Sequence, residues 1–242
     1  MDKNELRCED LQYKGLKIYQ HKDLYCFTSD SVMLANFANI KKSDNVCEFC
    51  AGGGVISILI SAKHSPRRIE AVEIQKEMFE MMEINIAENN IQNIQAIHDD
   101  IKNYCKAVPS GSCDVVVCNP PYKKKNVKII PQNDVKAIAR HEILLDLKQL
   151  IACTNKILKF GGKFYVCYDA NRSAELIHEM ANVGIEAKRM FFTQPSQAKN
   201  ATLVFIEAVK GGKPGVVVLP TLITNDLDGK YVQNIFDNYR RS

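Results

Sequence analysis

The sequence predicts an α/β fold, a doubly wound, mostly parallel seven-stranded sheet with helices on both faces. Three observations carry this. From about residue 44 short β-rich runs alternate with helical stretches, the first run leads directly into Gly52-Gly53-Gly54, and the run Asp114 to Cys118 (DVVVC) is nearly all apolar. Strands that alternate with helices become parallel neighbours joined by crossovers, and a strand buried on both faces loses its polar alternation. Glycines after a strand let the backbone turn sharply into a helix. In such a sheet the ligand crevice lies at the carboxyl ends of the strands.

Asp44 to Cys50 (DNVCEFC) is the first strand, and Val55 to Lys63 the helix after the glycines. Ile69 to Glu73 is the second strand. Lys76 to Asn89 is an amphipathic helix, with Glu77, Glu80 and Glu83 on one side and Met78, Met82 and Ile86 on another; this methionine stripe reads as core. Ile94 to His98 and Asp114 to Cys118 are strands three and four. Residues 134–159 read as a helix ended by Gly161-Gly162, and Lys163 to Tyr168 as the fifth strand. Helix 171–182 and the strands Glu186 to Phe192 and Thr202 to Val209 complete the pattern. Ahead of it, residues 1–43 form an N-terminal lead-in segment packed on a domain of residues 44–242. Its clearest feature is Phe27-Thr28-Ser29-Asp30-Ser31, whose oxygens either cap a helix over Val32 to Phe37 or face a ligand.

At roughly 100–200 residues per domain, 242 residues make one domain with a sizeable core. Hydrophobic residues at 46% and charged residues at 25% exclude global disorder, collagen and coiled coil. The start lacks a basic-then-apolar signal, and no stretch approaches the roughly 20 apolar residues that span a bilayer. A cytoplasmic protein without a membrane partner is expected. Nine scattered cysteines fit reduced thiols, and the lone CxxC of Cys47 and Cys50 has no second pair, so no metal is expected.

The first strand-to-helix turn places an acidic residue, Glu48, before small-x-Gly-x-Gly. A carboxylate there repels a pyrophosphate but accepts hydrogen bonds from an ammonium group, which favours a nucleoside bearing an amino acid over a dinucleotide. Glu73, at the end of the second strand, suits a ribose diol, and Asp99-Asp100, ending the third, an adenine amino group. Each alone equally suits a solvated or capping carboxylate; three along one edge point to a ligand. Asn119-Pro120-Pro121-Tyr122 ends the fourth strand. Its prolines stiffen the loop, so the Asn119 amide oxygen and a proline carbonyl become fixed acceptors for a planar amine, and Tyr122 offers a stacking face worth roughly 1–3 kcal/mol per base.

Glu48-x-Cys50-x-Gly52-x-Gly54, Glu73, Asp100 and Asn119-Pro120-Pro121-Tyr122 together resemble the motifs of class I S-adenosylmethionine-dependent methyltransferases of the amino-methylating NPPY branch. Phe27 to Ala35, Arg140-His141-Glu142 and the run from Ala201 through Gly229-Lys230-Tyr231 are similar to the bacterial tRNA (adenine-N6) methyltransferases, which modify the adenosine 3′ of the anticodon in valine tRNA. The resemblance implies a Rossmann-like fold, a tRNA substrate, no obligate protein partner and no metal. It implies S-adenosyl-L-methionine as cofactor and S-adenosyl-L-homocysteine as product. Cofactor binding falls to Glu48, Cys50, Gly52, Gly54, Glu73, Asp100 and Asn119, catalysis to Asn119, Pro120 and Tyr122, and substrate binding to Tyr122, Lys123, Lys124, Lys125 and Arg140. The implied chemistry is a direct in-line methyl transfer to N6 that needs no strong base. Cys50 stands where the family pattern has its first glycine; the loop is expected to tolerate so small a side chain.

Arg140-His141-Glu142 reads either as part of the substrate mouth or as a surface ion-pair cluster. Within the same chemistry, glutamine-N5 methylation of release factors and adenine-N6 methylation of DNA are alternatives. The first usually comes with a helical N-terminal domain, the second with a fused recognition domain, and neither is visible. A noncatalytic RNA-binding protein is the alternative from another class. The formal charge is +4, and residues 119–142 account for it, with six Lys and Arg against Asp134 and Glu142. That places the basic excess beside the proposed base pocket, where phosphates would position RNA.

Overall fold

The computed structural model describes residues 6–22, 24, 26–120 and 146–225. An antiparallel hairpin of β1 (Leu6–Asp10) and β2 (Lys17–His21) precedes α1 (Ser29–Phe37). Alternation then begins with β3 (Asn45–Phe49), α2 (Val55–His64), β4 (Arg68–Glu73), α3 (Lys76–Glu88), β5 (Ile94–His98), α4 (Ile101–Ala107) and β6 (Cys113–Cys118). Beyond residue 145 come α5 (Leu147–Ile157), β7 (Leu158–Asp169), a 3-10 turn (Ala170–Arg172), α6 (Ser173–Asn182), β8 (Ile185–Gln194) and β9 (Leu203–Lys210). Two short strands, β10 (Val217–Val218) and β11 (Leu222–Ile223), follow.

The main sheet runs in the order β5-β4-β3-β6-β7-β9-β8. It is parallel from β5 to β7, and β9 lies antiparallel between β7 and β8. β10 and β11 both pair with β8, so the sheet has nine strands instead of the seven expected. Two residues each are too few for a periodicity to appear in sequence. Among the described residues no helix is long and apolar enough to cross a membrane.

The strands divide their side chains between two layers. In β6, Val116 and Cys118 join a core with Tyr104 of α4, Leu150 of α5 and Leu176 of α6. Val115 and Val117 face the opposite core, built with Leu34 of α1 and Ile58 and Leu59 of α2. Met82 carries α3 onto β4 through Ala71, on the α2 side, where Ile86 also packs. Burying each such side chain is worth about 1.5–3 kcal/mol, so a one-residue slip that exchanges the faces is strongly disfavoured. The hairpin and α1 share the second core, through Leu16, Ile18 and Met33 to Ala35.

Two boundaries differ from expectation. α5 ends at Ile157 because Leu158 is already extended, before the glycines are reached. Gly161 has φ +78° and lies in an irregularity of β7, where Leu158 pairs with Cys113 but Lys163 with Val115. The glycine pair therefore bulges a strand and does not terminate a helix. α4 and the N-terminal hairpin were not anticipated; α4 is a seven-residue helix, and the hairpin strands lack strict alternation.

Candidate active site

β3 has β4 on one side and β6 on the other, so chain direction across the sheet reverses there. Phe49 pairs with both Val72 and Cys118, which sets the carboxyl ends of these strands level. A cleft of about 530 Å³, open to solvent, lies at this edge. It is lined by Glu48, Cys50, Gly52 and Asn119 of the predicted set, by Ser31 of α1, by β2, and by Met78 and Met81 of α3. The methionine stripe is thus both core and cleft wall.

Glu48 is 1% exposed, and its Oε2 accepts hydrogen bonds from the Ser57 amide, at 2.9 Å, and from the Ser57 hydroxyl. Burial pushes its carboxyl up to about 8, against the Ser57 bonds that favour the ionised form. Such a carboxyl ionises readily when a cation arrives. The glycine loop follows. Cys50 and Gly52 have φ of +56° and +55°, so the first motif position adopts a left-handed backbone although it is not glycine. That conformation costs an L-residue roughly 1–2 kcal/mol. The expectation that a small side chain suffices holds sterically and omits this strain. The Cys50 thiol reaches Cys118, whose thiol is pushed up by burial and then by that hydrogen bond.

Glu73, Gly54 and Asp100 do not line the cleft. Glu73 is 3% exposed and accepts from the Gly52 and Gln75 amides, both at 2.8 Å, so it braces the glycine loop from beneath. Burial is the largest influence on its carboxyl and raises it, while these amides oppose the rise. Gly54 begins α2 at φ +81°, and a Cβ there would meet Met82 Cγ at 2.8 Å, so it serves helix packing. Asp100 caps α4 by accepting from the Lys102 amide at 2.8 Å, and its other oxygen lies 3.1 Å from Lys102 Nζ.

Asn119 follows β6. Its Nδ2 donates to Asp30 Oδ2 and Ser31 Oγ, both at 3.3 Å. Its Oδ1 is buried and has no hydrogen-bond partner among the described residues. Pro120 is buried beside it. Tyr122, Lys123, Lys124, Lys125 and Arg140, with His141, Glu142 and the Gly229-Lys230-Tyr231 run, lie outside the described residues.

Sequence reasoning left Asp30 and Ser31 between two readings and missed Asn85. Thr28 makes no side-chain cap bond, and Asp30 and Ser31 both accept from Asn119. Asn85 of α3 is fully buried; its Oδ1 accepts from the Tyr19 amide at 2.7 Å, and its Nδ2 donates to the Gly53 carbonyl at 2.9 Å and the Tyr19 carbonyl at 3.2 Å. Asn89, one turn on, bonds Lys17 in the same way, so two amides satisfy the free edge of β2. Their spacing of four within an apolar helix face was the available signal. Among the described residues no group of three or more His, Cys, Asp or Glu is arranged to hold a metal.

The cleft has a buried carboxyl for an ammonium group, side-chain-free backbone at Gly52 and Gly53, apolar walls and an open acceptor at Asn119, a set that fits an amino-acid-bearing nucleoside beside an amine substrate. In fold the chain is similar to a predicted O-methyltransferase of Agrobacterium tumefaciens, with a TM-score of 0.66 and 16% identity over 86% of this chain and 93% of that one. It is also similar to M. jannaschii TYW2 solved in complex with AdoMet, with a TM-score of 0.57 and 12% identity over 87% and 89% of the chains. In sequence it is 24% identical over 221 residues, 90% of each chain, to the tRNA1(Val) (adenine(37)-N6)-methyltransferase of Dyadobacter fermentans. The family model for the methyltransferase small domain matches residues 27–188, from the approach to α1 into β8. With well over half its length matched, the chain belongs to the methyltransferase small-domain family.

Proposed function

We propose that the protein transfers a methyl group from S-adenosyl-L-methionine to the exocyclic N6 of adenosine in tRNA, at the position 3′ of the anticodon in valine tRNA. The observation that carries this is Asn119 Oδ1, a buried acceptor without a partner among the described residues, at the edge of the cleft. A hydrogen-bond donor is what such an acceptor lacks, and the N–H of an amine supplies one. The name of the Dyadobacter fermentans relative, similar over 90% of both chains, supports adenine in tRNA over other amines.

S-adenosylmethionine supplies, when bound, a methyl group activated on a sulfonium. Glu48 would accept from its ammonium group, and Gly52, braced by Glu73, would let the backbone approach closely. Glu73 would keep its bond to the Gly52 amide and accept from the ribose diol with its remaining lone pairs, and Asp100 would offer an acceptor to adenine from the start of α4. Asn119 Oδ1 and the Pro120 carbonyl would accept the two hydrogens of the target amine. Those bonds localise a lone pair that is otherwise delocalised into the adenine ring, and positioning removes much of the entropic barrier. The methylated nitrogen is acidic enough to release its proton to water. Tyr122 would stack on the base, which must leave its loop to enter the cleft. Lys123, Lys124, Lys125 and Arg140 would hold phosphates.

Incubation with radiolabelled S-adenosylmethionine and separate pools of tRNA, DNA and release factor tests this. Label in tRNA, recovered as N6-methyladenosine, is the expected result; label only in protein or DNA would sink it. K123A/K124A/K125A should weaken tRNA binding and flatten its salt dependence, and an unchanged salt slope would remove these lysines from the interface.

A further inference from the structure

We infer that Asp30 and Ser31, at the start of α1, are positioning residues that lock the Asn119 amide in one orientation and so reserve its carbonyl oxygen for an N–H donor. This rests on the amine-methylating function proposed above. A carboxamide is nearly symmetric in shape, and rotation by 180° exchanges a donor for an acceptor at almost no steric cost. Only its neighbours decide which end faces the substrate.

Here both neighbours are acceptors toward the same nitrogen. Nδ2 lies 3.3 Å from Asp30 Oδ2 and 3.3 Å from Ser31 Oγ. An ionised carboxylate can only accept, so a flipped amide would set its carbonyl oxygen against a carboxylate oxygen and lose the Asp30 bond, while the Ser31 hydroxyl, which can also donate, adds its bond to the orientation that Asp30 selects. The pair is itself fixed. Asp30 is 4% exposed and Ser31 7%, while Met33, Leu34 and Ala35 sink the next turn of α1 into the core with α2. Oδ1 is thereby left buried, without a partner among the described residues. Helix capping does not account for this, because an acidic group in a first turn gains from the helix dipole without being buried. Acceptance by Asp30 Oδ2 on the amino side also polarises the amide, which strengthens Oδ1 as an acceptor.

The test exchanges the two groups. D30A should lower kcat about 100-fold, with KM for substrate and Kd for S-adenosylmethionine within two-fold of the parent. N119D alone should be at least as impaired, since two carboxylates then face each other. The double variant D30N/N119D restores a donor opposite an acceptor with the polarity reversed and should be at least ten-fold more active than N119D. A purely structural role for Asp30 gives no such recovery. Independently of turnover, the Asn119 side-chain NH2 protons should exchange slowly with solvent in the parent and rapidly in D30A, read by NMR. D30A with kcat within two-fold of the parent, a double variant no better than N119D, or unchanged NH2 exchange would each overturn the inference. Label from the parent in protein or DNA instead of tRNA would overturn the substrate assignment alone, and the exchange measurement then still decides the role of Asp30.

Discussion

The loops after β3 and β6 lie on adjacent strands and treat their polar atoms in opposite ways. Around the glycine loop, Glu48 is bonded to Ser57, Glu73 to two backbone amides, and Asn85 to the Gly53 carbonyl and the hairpin. At the end of β6, Asn119 has its amino side bonded and its carbonyl side left without a partner among the described residues. The glycine loop is thus braced before any ligand binds, whereas the end of β6 keeps one buried bond unmade. An unmade buried bond is costly, on the order of 1–3 kcal/mol, and the cost is returned only when a donor arrives.

Asn119→Ala separates the two sides most sharply. It should lower kcat by roughly 10²–10³-fold while calorimetric S-adenosylmethionine binding stays within a few-fold. Equal loss of both would mean that the two loops do not divide the work. Asn85→Ala attacks the braced side: three hydrogen bonds vanish and buried backbone groups lose partners, so denaturant unfolding should show a loss of about 3 kcal/mol, along with weaker cofactor binding. A change below 0.5 kcal/mol would show that the brace lies elsewhere.

Glu48→Gln probes the same side through pH. The folded carboxyl titrates near 8 and the unfolded one near 4.5, so between these values the folded state holds a proton that the unfolded state has released. Stability of the parent should therefore fall as pH rises through that window. The variant, lacking the titration, should match the parent below pH 4.5 and exceed it by on the order of 2–4 kcal/mol above pH 8, without ligand. Identical pH profiles would mean that Glu48 is ionised throughout. Smallest is Cys50→Gly, which relieves a left-handed backbone at the expense of a freer unfolded chain, a net gain of about 0.5 kcal/mol by chemical denaturation. Destabilisation would show that the thiol contact with Cys118 outweighs the strain.

The strands from β3 to β9 were legible because burial on both faces concentrates Val, Ile and Phe into short runs, and glycines mark the turns. Asn119 and Pro120 were legible because two prolines after an apolar strand have few other uses. Glu73 and Asp100 were identified as polar residues at strand ends, but sequence could not distinguish an oxygen facing a ligand from one held by the Gly52 amide or by the first turn of α4. The hairpin escaped because its free edge is satisfied by Asn85 and Asn89, some 66 to 72 residues away along the chain.

Sequence by itself determined the succession of strands from β3 to β9, the acidic and glycine positions at their ends, and the asparagine that ends β6. Each depends on residues close together in the chain, where period and turn chemistry act. Only the tertiary structure decided which way the Asn119 amide points, because the groups that orient it, Asp30 and Ser31, lie 89 and 88 residues away on a helix that meets β6 only when the second core closes.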